Sequence, residues 1–161
     1  YDIHTKELYV PITTEDNDTT DRYKAWRFDG ERLVYQGERP NRHLHSSLSQ
    51  YDRRLQYITT RDYIVRVDML ANGELRYSSW SKHGTTDDCP DIVLTGGKKV
   101  HYEMASNQLP PCDEYRFKNG SYQYIVNHCE VGRDKNGDGV HHDYLMVMSE
   151  GKVLFKQEIE K

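Results

Sequence analysis

The sequence predicts an all-β protein: one antiparallel meander curling into a closed or partly closed β-barrel of about 8–10 strands, with a two-sheet β-sandwich as the alternative. Three observations predict it. The first is a recurring unit in which a glycine turn is followed by an apolar residue and, two positions on, an aromatic one. Asp29-Gly30 leads to Leu33 and Tyr35, Asn72-Gly73 to Leu75 and Tyr77, Gly96-Gly97 to Val100 and Tyr102, and Glu150-Gly151 to Val153 and Phe155. Asn119-Gly120 gives the fully aromatic version with Tyr122 and Tyr124. Such residues tolerate positive φ at the turn, and the alternation behind them puts bulky side chains on one face of a strand. The second is spacing: Gly73, Gly97, Gly120 and Gly151 lie 24, 23 and 31 residues apart, and omitting the seven residues Arg133 to Gly139 restores 24. Hairpins of constant length with one decorated loop make a meander. The third is composition. Tyrosine occurs 13 times against 3 phenylalanines, and rings with one wet end suit a thin barrel.

Taken in order, Leu8, Val10 and Ile12 alternate as a short strand, and Pro11 argues for an edge position. Thr13 to Asp21 is entirely polar and reads as a solvated loop, so residues 1–24 form a partly irregular leading segment. Lys24 to Phe28 and Arg32 to Gln36 make the first hairpin. The alternation lapses from Gly37 to Arg54, where Leu44, Leu48, Tyr51 and Leu55 recur at spacings of three and four. That pattern fits one or two helical turns, or a loop whose leucines plug a barrel end. Leu55 to Leu70 reads as the clearest strand, with Tyr63, Val65, Val67 and Met69 on one face. Asn72-Gly73 reverses it into Leu75, Tyr77 and Ser79, and Ser81 to Pro90 is a polar connection. Asp91 to Leu94 is expected to return through Gly96-Gly97 into Val100 and Tyr102. Ala105 to Asp113 reads as loop. Tyr115 and Phe117 then pass through Asn119-Gly120 into Tyr122, Tyr124, Val126 and His128, and Leu145 and Val147 pass through Glu150-Gly151 into Val153 and Phe155. At 161 residues the chain supports one hydrophobic core, and residues 1–161 are expected to form a single domain.

Composition narrows the functional classes. The net charge is −4, with 22 basic and 26 acidic residues well mixed, and no basic run tracks a phosphate backbone, so nucleic acid is not an expected partner. No apolar stretch approaches the length of a membrane-spanning helix. Three cysteines without CxxC spacing argue against zinc or redox chemistry. Cys89 and Cys112 each adjoin a proline in an expected loop and form the expected bridge, which leaves Cys129 as a half-buried thiol. A secreted, periplasmic or cell-surface location is expected.

The sharpest local motif is Asp134-Lys135-Asn136-Gly137-Asp138-Gly139. Oxygen ligands at positions 1, 3 and 5 with glycine at 6 match the first half of an EF-hand calcium loop. Position 12 is Leu145 where a bidentate glutamate belongs, so Asp143 would have to close a site of different geometry around calcium. The competing explanation is a long hairpin turn, which favours the same residues. Calcium is the one cofactor expected, as a stiffener of the hairpin tip. Among the histidines, His43 and His45 lie two apart and His141-His142 adjoins Asp143, but no third ligand is picked out by spacing and surface histidine is the default. No serine sits in a G-x-S-x-G elbow, and His128 and Cys129 would point to opposite faces of a strand.

Aromatic residues remain as the expected binding surface: Trp80, Tyr77, Tyr122, Tyr124 and Trp26. For Trp80 the competing expectation is burial under a loop that closes the barrel end. The expected function is a non-enzymatic extracytoplasmic module that binds a protein or glycan, and the alternative is a secreted hydrolase with a loop-assembled site. An enzyme should hold convergent polar groups in a concave pocket, whereas a binding module should present an aromatic patch.

Overall fold

The computed structural model describes residues 7–13, 19–40, 43–102, 112–133, 135 and 139–159. The chain divides into two compact units, residues 1–49 and residues 50–161.

The first unit is a three-stranded antiparallel sheet in the order β1-β2-β3, from β1 (Glu7–Thr13), β2 (Thr19–Phe28) and β3 (Leu33–Pro40). Pro11 lies on β1, an edge strand, the position in a sheet where proline is tolerated. The polar run does not stay a loop to its end. Thr19 to Asp21 already belong to β2, because pairing with β1 supplies hydrogen bonds that side-chain polarity does not forbid. Between β2 and β3 the Asp29 carboxylate accepts the backbone N–H groups of Glu31 and Arg32 at 2.9 and 3.0 Å, and Gly30 takes φ of 113°. Those N–H groups, Arg32's first, hold the Asp29 carboxyl below the usual carboxylate range. The irregular segment that follows contains a single 3-10 turn, Ser46–Leu48, with Leu48 buried.

The second unit is one eight-stranded antiparallel sheet whose strands follow chain order: β4 (Arg53–Thr59), β5 (Tyr63–Met69), β6 (Leu75–Ser81), β7 (Ile92–Tyr102), β8 (Cys112–Asn119), β9 (Tyr122–Arg133), β10 (Gly139–Ser149) and β11 (Lys152–Glu158). The sheet curls into a partly closed barrel. Thr60 bridges Ile159, the Asp62 backbone N–H donates to Gln157 Oε1 at 3.2 Å, and the Tyr63 and Phe155 rings meet edge to face at 5.5 Å. The two ends of the meander therefore touch along a seam. The inner face carries the core: Ile58, Val65, Val67, Leu75, Tyr77, Tyr115, Phe117, Val126 and Leu145.

Three expectations are corrected here. Leu55 to Leu70 is two strands with a turn at Thr60 to Asp62. Thr60 is buried, its Oγ1 accepting the Tyr63 N–H, and this capped reversal breaks an alternation that reads as continuous. Gly96-Gly97 is a bulge within one long strand rather than a hairpin turn. The register shifts there as β7 leaves β6 and takes β8 as its partner, with Gly96 at φ of 72°. Gly97 is required by packing, since a Cβ would stand 2.2 Å from the Phe117 ring. Third, the disulfide joins Cys112 to Cys129, and Cys89 keeps an exposed thiol. Cys112 and Cys129 are directly opposed on β8 and β9, 4.2 Å apart at Cα, so registry alone brings the sulfurs together.

Candidate functional site

Strands β5 and β6 are buried on both faces, and this decides the fate of two expected contact residues. Tyr77 faces the core and is 1% exposed. Trp80, on the other face, is equally buried, and its Nε1 donates to the Asp88 carbonyl at 2.9 Å. It sits under the 82–91 connection, so neither residue belongs to an exposed binding surface. The same outer face holds a buried ion cluster, in which Arg66 and Arg76 each reach Asp68 at 2.7 Å. The Tyr51 ring lies against the Arg66 guanidinium at 4.5 Å, and the Gln50 carbonyl accepts from Arg76.

Tyr124 is half-buried and packs on Tyr77 at 5.5 Å, while Tyr122 is exposed beside the Asn119-Gly120 turn. Tyr124 and Tyr77 continue into the inner face, where a cavity of about 200 Å³ opens in the barrel. Four aromatic rings line it, those of Tyr63, Tyr77, Tyr124 and Phe155. Ile92, Leu145, Val147 and the hydroxyl-bearing Ser79 complete the wall, and none of the eight side chains is charged. Burial pushes the Tyr77 phenol well up.

On the same inner face, two rungs from Leu145 and Val126 in the direction away from the Asn119-Gly120 turn, runs a polar row that the sequence did not disclose. His101 on β7 opposes Asp113 on β8, Asp113 opposes His128 on β9, and His128 opposes Asp143 on β10. His101 Nδ1 donates to Asp113 Oδ1 at 2.7 Å, Lys99 Nζ reaches the other oxygen at 2.7 Å, and His128 Nδ1 donates to Asp143 Oδ1 at 2.8 Å. The His141 ring stacks on His128 at 4.6 Å. Partial burial raises the Asp113 carboxyl, but the Lys99 and His101 bonds outweigh it and leave the group below the usual aspartate range. The Asp113 bond in turn raises the Lys99 ammonium. Each imidazole is thus oriented by a carboxylate, as a general base would be.

Among the described residues no group of three or more His, Cys, Asp or Glu is placed to hold a metal ion. Asp134, Asn136 and Asp138 of the expected calcium loop lie outside the described residues. Asp143, expected to close that loop around calcium, is buried on the inner face and bonded to His128.

The first unit carries the clearest exposed aromatic patch. Trp26 pairs with Tyr35 and Phe28 with Leu33 in the β2–β3 register, and the two-residue spacing puts all four on one face. The Trp26 and Tyr35 rings lie 5.4 Å apart, and Phe28, Leu33 and Tyr35 are 48, 49 and 51% exposed. Of the residues expected to form the binding surface, Trp26 is the one placed in such a patch. Sequence reasoning missed its companions, although Phe28 and Leu33 flank the Asp29-Gly30 turn.

No helix among the described residues is long and apolar enough to cross a membrane. Comparison with protein-family models, curated proteins and solved structures finds no match to this chain.

Proposed function

We propose that the chain is a non-enzymatic extracytoplasmic module that binds a protein or glycan through the aromatic face of the β2–β3 hairpin. The observation that carries this reading is the alignment of Trp26, Phe28, Leu33 and Tyr35 on one face, with three of the four about half exposed. Large apolar side chains held in water are costly unless a partner covers them, and covering them returns roughly 25 cal/mol per Å². The Trp26–Tyr35 contact orders two anchors in advance, which lowers the entropy lost on binding. The Cys112–Cys129 disulfide supports an oxidising compartment.

A hydrolase is the second reading, favoured by the His101–Asp113 and His128–Asp143 pairs. In that reading either imidazole, oriented by its carboxylate, would act as the general base.

One experiment separates the two. Immobilised protein is exposed to a glycan array and to surface extracts, and the wild-type chain is compared with the Trp26→Ala/Tyr35→Ala and His101→Asn/His128→Asn double variants. The aromatic variant should lose capture while the histidine variant retains it. Capture unaffected by the aromatic changes, together with ester or glycoside hydrolysis that the histidine changes abolish, would reverse the assignment.

A further inference from the structure

The barrel cavity lies in the other unit from the aromatic hairpin, and its chemistry is different. We infer that it is a binding site for a small, uncharged aromatic molecule of one ring. Size sets the first limit. The volume of about 200 Å³ compares with the roughly 150 Å³ apolar cavity that accepts one benzene ring. One ring with a small substituent fits, whereas drug-sized ligands occupy pockets of about 300–1,000 Å³.

Polarity sets the second limit. No lining side chain is charged, so an ionised guest would be desolvated with nothing to compensate it. A sugar fails for a related reason. The wall offers only four hydroxyls, those of three tyrosines and Ser79. A pyranose would bring more hydroxyls than these groups can satisfy, and each buried orphan is costly. An aromatic ring instead meets Tyr124 and Phe155 at the offset or edge-on geometries that rings prefer. A single hydroxyl on the guest can still be met, because the Ser79 hydroxyl on the wall can both donate and accept. A phenol therefore fits at least as well as benzene.

Access lies at the barrel seam. Tyr63 is 37% exposed, the most open of the lining side chains, and stands edge to face with half-buried Phe155 across the barrel seam. These two rings stand where the lining is most open to solvent.

The test uses benzene, phenol, benzoate and methyl glucopyranoside as probes of the intact chain, by calorimetric titration and by protein–ligand NMR cross-peaks. Benzene and phenol should bind and give cross-peaks to the Val147 methyls and the Tyr124 ring, while benzoate and the glucoside bind about tenfold more weakly or worse. Val147→Phe fills part of the cavity and should weaken phenol by about tenfold or more. Ser79→Ala should weaken phenol and leave benzene unchanged. The cross-peaks need no variant, so a misfolded substitution does not blunt the test. Benzene and phenol without effect on the wild-type spectrum, cross-peaks at another place, or a glucoside that binds as well as phenol would each overturn the assignment.

Discussion

The three-stranded sheet and the inner face of the eight-stranded sheet are written in the same period-2 alternation and treat large side chains in opposite ways. Phe28, Leu33 and Tyr35 of the first are about half exposed, while Val65, Val67, Tyr77, Phe117 and Val126 of the second are at most 1% exposed. The difference does not lie in the pattern. Eight strands can curl until their inner face meets itself, so alternation there produces a core. Three strands cannot enclose anything, so the same alternation leaves an apolar face in water. Which of two similar hairpins becomes scaffold and which becomes surface is settled by how many neighbours each one has.

The comparison can be pressed hardest at Asp68. Its carboxylate answers two buried guanidinium groups, and Asp68→Asn removes the negative charge that both of them reach. A loss of about 3–5 kcal/mol is expected in denaturant unfolding. A loss near the ~1 kcal/mol of a surface pair would mean that the outer face of β5–β6 is far wetter than its burial implies.

A smaller effect is expected at Gly97→Ala, where the new Cβ must push the Phe117 ring aside. Overpacking of this kind costs about 1–3 kcal/mol. A neutral result would show that the eight-stranded core has slack, and the contrast between the sheets would soften. The smallest change is expected at Phe28→Ser, within about 0.5 kcal/mol of wild type, because that ring is already half in water. A larger loss would make Phe28 structural and remove it from the proposed contact face.

Local signals account for what could be read in advance. Asn72-Gly73 and Asn119-Gly120 are hairpin turns with glycine at positive φ, and the strands beside them follow from alternation. The reversal at Thr60 to Asp62 was hidden because no glycine or proline marks it, and a buried threonine hydroxyl does the capping. Gly96-Gly97 was misread because glycine serves a bulge as well as it serves a turn. The remaining misses depend on registry. Cys112 finds Cys129, and Asp113 finds His128, only after β8 and β9 are aligned. His101 and Asp113 are 12 residues apart, and His128 and Asp143 are 15 apart. Neither interval matches a known ligand or catalytic motif. The burial of Trp80 was one of two expectations that the sequence left open, and the Asp88 carbonyl decided it.

The seam has a consequence for how the eight-stranded unit is made. Every strand from β4 to β11 pairs with its neighbour in sequence, so most of the sheet can form through short loops as the chain lengthens. The contact between Asp62 and Gln157 spans 95 residues and needs the last strand to be present. Its closure entropy grows only slowly with that length, but it cannot begin before β11 has been synthesised and paired. Until then the inner face stands open, with Tyr63 and Phe155 still apart. The step that finishes the barrel is therefore the one with the longest reach, and it waits on the last strand.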